Sequence, residues 1–235
     1  MNTYKVQMTG IVKKYKRHAI INDLNLNVPQ GRVYGLLGAN GAGKSTTLKM
    51  LVGMIKPTSG EILIDGHPLT EGDLLKIGTL IEDAPLYRNL SAYENLLVRA
   101  TILGVPEERI HKVLHQVDLS DTGKKKVKNF SMGMKQRLGI ALALINMPSL
   151  LILDEPTNGL DPVAIKELRH LIKTLKKQGI TIIVSSHILA EIESVADNIG
   201  IIYNGKLGYE GKTPENIEAL EALFFKIVQP NQAGV

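Results

Sequence analysis

At 235 residues, 44% of them hydrophobic, the chain is long enough to bury a sizeable core, and its composition excludes disorder. A net charge of +5, from 28 basic and 23 acidic residues, suits a phosphate-rich ligand, nucleic acid or an anionic membrane surface without choosing among them. There is no cysteine, which excludes disulfides and thiolate metal sites. No signal peptide is read at MNTYKVQMTG, and no stretch reaches the roughly 20 apolar residues of a membrane helix, so a cytoplasmic protein is expected.

Alternation of apolar and polar residues predicts half-buried antiparallel strands over 4–11 and 24–28. Residues 33–37 read as a short buried strand running into a Gly-rich turn and a helix over 43–54. Further strands are expected at 61–64 and 77–81. Ser91 and Glu94 form a capping box at a helix start, and Pro106 followed by Glu107 and Glu108 opens another helix. A third helix follows Ser131 and runs to about Asn146. Strand and helix then alternate: 150–153, 162–178, 180–184, 188–196 and 199–203. Asn204-Gly205 predicts a tight hairpin turn, and a last amphipathic helix spans about 214–228. The alternation implies an α/β fold with a mainly parallel core sheet, an N-terminal antiparallel β part and an inserted helical lobe over about 90–147 with its own small core. Residues 1–235 read as a single domain.

Gly38-Ala39-Asn40-Gly41-Ala42-Gly43-Lys44-Ser45 fills every fixed position of the P-loop pattern, after a strand and before a helix. Glycines let successive amides curl around a phosphate, and the helix turns its partly positive end toward that anion. Lys44 is expected at the β- and γ-phosphates, Ser45 on Mg2+, and Asn40, Ala42 and Thr46 in the same cradle. Leu150-Leu151-Ile152-Leu153-Asp154-Glu155 is a buried strand ending in two carboxylates, which need a cationic partner. Asp154 is assigned to Mg2+ and Glu155 to proton abstraction from the attacking water.

Several later segments resemble the nucleotide-binding domains of ABC transporters, in the same order along nearly the whole chain. The resemblance implies that Tyr15, 23 residues before Gly38, stacks on adenine, the lesser alternative being a surface or core tyrosine. Phe130-Ser131-Met132-Gly133-Met134-Lys135-Gln136-Arg137 is similar to the signature segment, with Met132 and Met134 replacing a glycine and a glutamine. Without the resemblance it is an N-capped helix. With it, Ser131 and Gly133 are implied to contact the γ-phosphate held by a second subunit. Asp161 is then implied to communicate across the dimer while also capping the helix at Pro162, and His187 to meet the γ-phosphate and the attacking water.

Glu82 stands where the family commonly carries a glutamine touching Mg2+ or water. A second negative charge roughly 5 Å from the γ-phosphate costs about 3 kcal/mol at an effective dielectric near 20, before the ion offsets it. Glu82 and the Ser-Met-Gly-Met-Lys-Gln-Arg segment are similar to the ATP-binding subunits of lantibiotic-immunity transporters, with bacitracin-resistance and drug-export subunits close behind. The resemblance implies a Mg-dependent ATPase that dimerises with ATP, a homodimer being favoured. It also implies integral-membrane permease partners and attachment through them to the inner face of the plasma membrane. The alternative is an ABC-type ATPase acting on nucleic acid or ribosomes, supported by Lys124-Lys125-Lys126-Val127-Lys128, but no fused second ATPase or long coiled coil accompanies it. A regulatory GTPase is disfavoured because no Asn-Lys-x-Asp guanine-reading segment occurs.

Overall fold

The computed structural model describes residues 3–16 and 18–229. β1 (Tyr4–Tyr15) and β2 (His18–Pro29) form a long antiparallel ribbon, to which β4 (Ser59–Ile64) and the two-residue β5 (His67–Pro68) add in the order β2-β1-β4-β5. One face is apolar: Val6 pairs with Val28 and Ile64, and Met8 with Leu26 and Ile62. Both strands of the ribbon outrun the expected spans, because shifts in register after Met8, Ile11 and Lys13 break the period-two alternation. At the first of these shifts Gly60 lies against Gly10, and a Cβ there would come within 2.5 Å of the Gly10 carbonyl oxygen.

The second sheet has the order β10-β9-β3-β8-β7-β6. β3 (Val33–Leu37), β6 (Ile77–Leu80), β7 (Leu150–Asp154), β8 (Thr181–Ser186) and β9 (Asn198–Tyr203) run parallel, and β10 (Lys206–Lys212) joins β9 through the Asn204-Gly205 hairpin. Both turn residues have positive φ, 49° and 71°, as the expected tight turn requires. Every residue of β3, β7 and β8 is buried, which follows from covering a parallel sheet on both faces. Leu150 and Ile152 face the antiparallel sheet and α1 (Lys44–Leu51), whereas Leu151 and Leu153 face the remaining helices.

Those helices include α3 (Ala92–Leu103), α4 (Glu108–Gln116) and α5 (Met132–Leu144), which make the lobe, and α6 (Pro162–Lys177), α7 (Leu189–Glu193) and α8 (Ile217–Val228). α2 (Glu71–Leu74) is a single capped turn that the sequence reading did not include. The capping box at α3 is present, with the Ser91 hydroxyl accepting from the Glu94 amide and the Glu94 carboxylate accepting from the Ser91 amide. α4 starts at Glu108 rather than Pro106, its entry being a turn in which Arg109 and Ile110 donate three residues back. α1 stops at Leu51, short of Met54, where Gly53 adopts φ 72°.

The lobe does not have a core apart. Leu96, Ile110, Val113, Leu138 and Leu144 belong to the same apolar cluster as Leu80, Leu151 and Leu153 of the sheet. The reason is the fit of α5 on β6, where a Cβ on Gly78 would meet the Ala143 carbonyl oxygen at 2.2 Å and one on Gly139 would meet Leu80. Among the described residues, no helix is long and apolar enough to cross a membrane.

Candidate nucleotide site

The strand register gathers the site at one edge. Leu37 pairs with Ser186, Asp154 with Ser185 and Leu80 with Leu153, so the segments that follow β3, β6, β7 and β8 emerge side by side at their carboxyl ends. Ligands of parallel α/β sheets bind outside that edge.

After Leu37 the chain turns through Gly41, φ 80°, and Gly43, φ 112°, conformations open to glycine. Gly43 is the N-cap of α1 and offers no side chain, so the first amides of the helix are left for a ligand. Gly38 also needs its missing Cβ, which would lie 2.6 Å from the Ile202 carbonyl oxygen. Asn40 and Gly41 are exposed at the rim, Ala42 is buried behind them, and Ser45 and Thr46 are half-buried in the first turn.

Lys44 folds back into this loop and is 5% exposed. Its ammonium donates to the Gly38 carbonyl at 2.8 Å and lies 3.1 Å from Glu155 Oε1. Glu155 Oε2 lies 2.7 Å from His187 Nδ1. Glu155 has φ 48°, unusual for a non-glycine residue, and its amide donates to the carbonyl and hydroxyl oxygens of Ser185. Asp154, 7% exposed, accepts from the Ser185 hydroxyl. Lys44, Glu155 and His187 thus form one continuous set beside Asp154.

Sequence reasoning missed the residue that fixes the two loops. Glu191, buried in the first turn of α7, accepts from Thr157 at 2.6 Å and from Ser186 at 2.8 Å. It pins the segment after Glu155 to the segment before His187. Nothing in the pattern marked it, because an acid in a first helical turn ordinarily faces solvent and favours the helix dipole.

Glu82 follows β6 with φ 60° and is ion-paired with Lys49, its side chain 69% exposed. The Lys49 pKa is raised above the ordinary lysine value, first by the hydrogen bond to Glu82 and further by the charges of Glu82 and Asp154. Tyr15, at the end of β1, is half exposed, with the Lys13 ammonium 5.0 Å from its ring centroid.

Ser131, Gly133 and Asp161 lie in a second group. Ser131 caps α5 by accepting from the Met134 amide, and Asp161 caps α6 by accepting from the Ala164 amide. The two caps adjoin: Gly133 lies against Ala164, and Met132 packs over Gly159. Among the described residues, no hydrogen bond or ion pair joins Ser131, Gly133 or Asp161 to Lys44, Asp154, Glu155 or His187.

The donor set fits a Mg-nucleotide. No cluster of three His, Cys, Asp or Glu side chains able to hold a metal by itself occurs among the described residues. A buried carboxylate, a hydroxyl at a helix start and phosphates together supply the oxygen ligands that Mg2+ takes in such sites. Asp154, at the end of β7, and Ser45, in the first turn of the α1 that packs on β7, are groups of that kind.

Residues 21–158 match the family described as ABC transporter. The chain belongs to the ABC transporter ATP-binding family. It is 52% identical over 219 residues to the lantibiotic transport ATP-binding protein SrtF of Streptococcus pyogenes, covering 93% of this chain and 95% of that protein. It is also 52% identical over 207 residues to the bacitracin transport ATP-binding protein BcrA of Bacillus licheniformis, covering 86% of this chain and 68% of that protein. Among solved structures, an ATP-binding subunit of an ABC transporter superposes with a TM-score of 0.81 at 30% identity, over 94% of this chain and 99% of that one. A second is a dimeric ATP-binding cassette in a post-hydrolysis state with ADP and Pi, with a TM-score of 0.79 at 27% identity, over 90% and 100%. As a member of this family the ABC chain is an ATP-binding, ATP-hydrolysing subunit with the P-loop NTPase fold.

Proposed function

We propose that this ATPase drives an exporter that removes a lantibiotic or a related antimicrobial peptide, giving self-immunity or resistance. The observation that carries the reading is the likeness to the lantibiotic transport protein, which runs through both lobes rather than the P-loop alone. Glu82 and the Met-containing 131–137 segment support it.

Each chain, acting as one domain, holds one nucleotide. The amides of Gly38, Asn40, Gly41, Ala42 and Gly43 and the first turn of α1, with Thr46, cradle the phosphates, while Lys44 meets the β- and γ-phosphates and Tyr15 stacks on adenine. Ser45 and Asp154 would hold Mg2+, which neutralises phosphate charge when bound; Glu82 would reach that ion only by leaving Lys49. Glu155 takes the proton of the attacking water, and His187 holds the Glu155 carboxylate in line. Hydrolysis also needs a second copy, whose Ser131, Gly133 and Asp161 close on the phosphates of the first. What supports this is the resemblance of the 130–137 segment to the family's signature, together with the dimeric ATP-binding cassette among the similar structures.

Permease subunits in the plasma membrane carry the peptide and hold the dimer on the cytoplasmic face. Nucleic acid is not a partner. In the lysine run, Lys126 is paired with Glu94 and Lys125 lies over the Phe130 ring, which suits a structural role.

Co-expression with its permease in a sensitive host tests the substrate class. Tolerance to a lantibiotic or to bacitracin is expected to rise with the wild type and to vanish with Glu155→Gln. Unchanged tolerance across such peptides would contradict the reading.

A further inference from the structure

Glu82 and Glu155 follow neighbouring parallel strands, and both hold a left-handed backbone that non-glycine residues adopt only at a cost. Glu155 is held by Lys44 and His187. The counterpart for Glu82 is Lys49, which the sequence reading did not single out. Lys49 stands four residues after Ser45, so both side chains lie on one face of α1, one turn of about 5.4 Å apart. The Lys49–Glu82 pair therefore sits one turn along α1 from the hydroxyl that ends the phosphate loop.

We propose that Lys49 is a positioning residue for the nucleotide: it holds the Glu82 carboxylate as half of a neutral pair, so that an acid beside the γ-phosphate does not repel it. Lys49 thereby sets how strongly the site prefers a triphosphate over a diphosphate. The proposal rests on the reading that Gly38–Ser45 holds the phosphates. It explains how the chain accommodates a carboxylate at this position without losing ATP. Asp154, which ends the neighbouring β7, adds its charge at Lys49. The pair therefore stands on the side of the cradle where Mg2+ and the terminal phosphate are proposed to sit, and unmasking Glu82 there penalises ATP more than ADP. The effect is electrostatic and is therefore reduced by salt.

Binding of Mg-ATP and Mg-ADP to the purified full chain, measured by calorimetry at low and high salt, tests this. Lys49→Gln is expected to weaken Mg-ATP binding roughly tenfold at low salt, the bound Mg2+ offsetting most of the repulsion from one unmasked charge. Mg-ADP binding should change much less. Adding Glu82→Gln to Lys49→Gln should restore Mg-ATP affinity to within about twofold, since the two groups act as a pair. Lys49→Arg should keep it. The Lys49 side chain is partly exposed, and exposed pairs contribute little to stability, so these variants are expected to fold; thermal melting checks this.

Wild-type affinity in Lys49→Gln, or no rescue by Glu82→Gln, overturns the proposal. So does tighter Mg-ATP binding by Lys49→Gln, which would mean that Lys49 competes with the cation for Glu82. Lys44→Ala separates the two readings. If it binds Mg-ATP like the wild type, the phosphate-site reading itself fails. If it loses binding while Lys49→Gln does not, only the role of Lys49 fails.

Discussion

The Lys44 ammonium lies 3.1 Å from Oε1 of Glu155. The group proposed to meet the phosphates and the group proposed to take the proton are therefore paired with each other in this structure. A nucleotide that draws Lys44 to its phosphates releases one oxygen of Glu155 while His187 keeps the other.

Replacing Glu155 by Gln weakens the competition for Lys44 and removes the base. ATP affinity is expected to stay equal or rise, while hydrolysis falls about 10²–10⁴-fold, the usual range for loss of a general base. Calorimetric titration together with phosphate release measures both. Hydrolysis near the wild-type rate would remove Glu155 from this role.

Glu191→Ala leaves the Thr157 and Ser186 hydroxyls buried without their acceptor, at a cost of about 1–3 kcal/mol in stability. The loops carrying Glu155 and His187 lose their common anchor, so kcat should fall more than ATP affinity. Urea unfolding and steady-state kinetics check this, and an unchanged kcat would reduce Glu191 to a structural acid.

Gly78→Ala tests the seam between the lobe and the sheet. The added methyl meets backbone, the Ala143 carbonyl oxygen at 2.2 Å, so α5 must shift away from β6. A loss of about 1–3 kcal/mol is expected from such overpacking, read as a lower urea midpoint.

The phosphate loop, the Asp154–Glu155 strand and the order of elements were legible because each depends on local pattern. Eight residues between a strand and a helix specify the cradle, and the Ser91–Glu94 capping box and the Asn204-Gly205 turn are short-range chemistry. The bulges in β1 and β2 were not legible, because a shift in register erases the alternation that marks a strand. Nor was the shared core of the lobe, which rests on Gly78 and Gly139 meeting distant segments. The ties Lys44–Glu155, Glu82–Lys49 and Thr157–Glu191 join residues far apart in sequence, so no spacing announces them.

Acid should weaken the lobe through Glu94. Hydrogen bonding from the Ser91 amide, then Lys126, lowers its carboxyl from an ordinary 4.5 to about 2. The folded pKa is depressed, so the stabilisation is fully present above pH 4.5 and is lost as pH falls from there towards 2. Glu94→Gln should therefore unfold at lower urea than the wild type at pH 7, and the gap should narrow as pH falls through that window. A gap that does not depend on pH would contradict the assignment.

Nucleotide bound at Lys44 of one chain is proposed to be closed over by the Ser131 helix start of another. Sedimentation of purified Glu155→Gln protein with saturating Mg-ATP measures it directly. A dimer that forms with Mg-ATP, and that is lost when Ser131→Arg is added, is the expected result. A monomer at saturating Mg-ATP, both alone and with its permease, would contradict it.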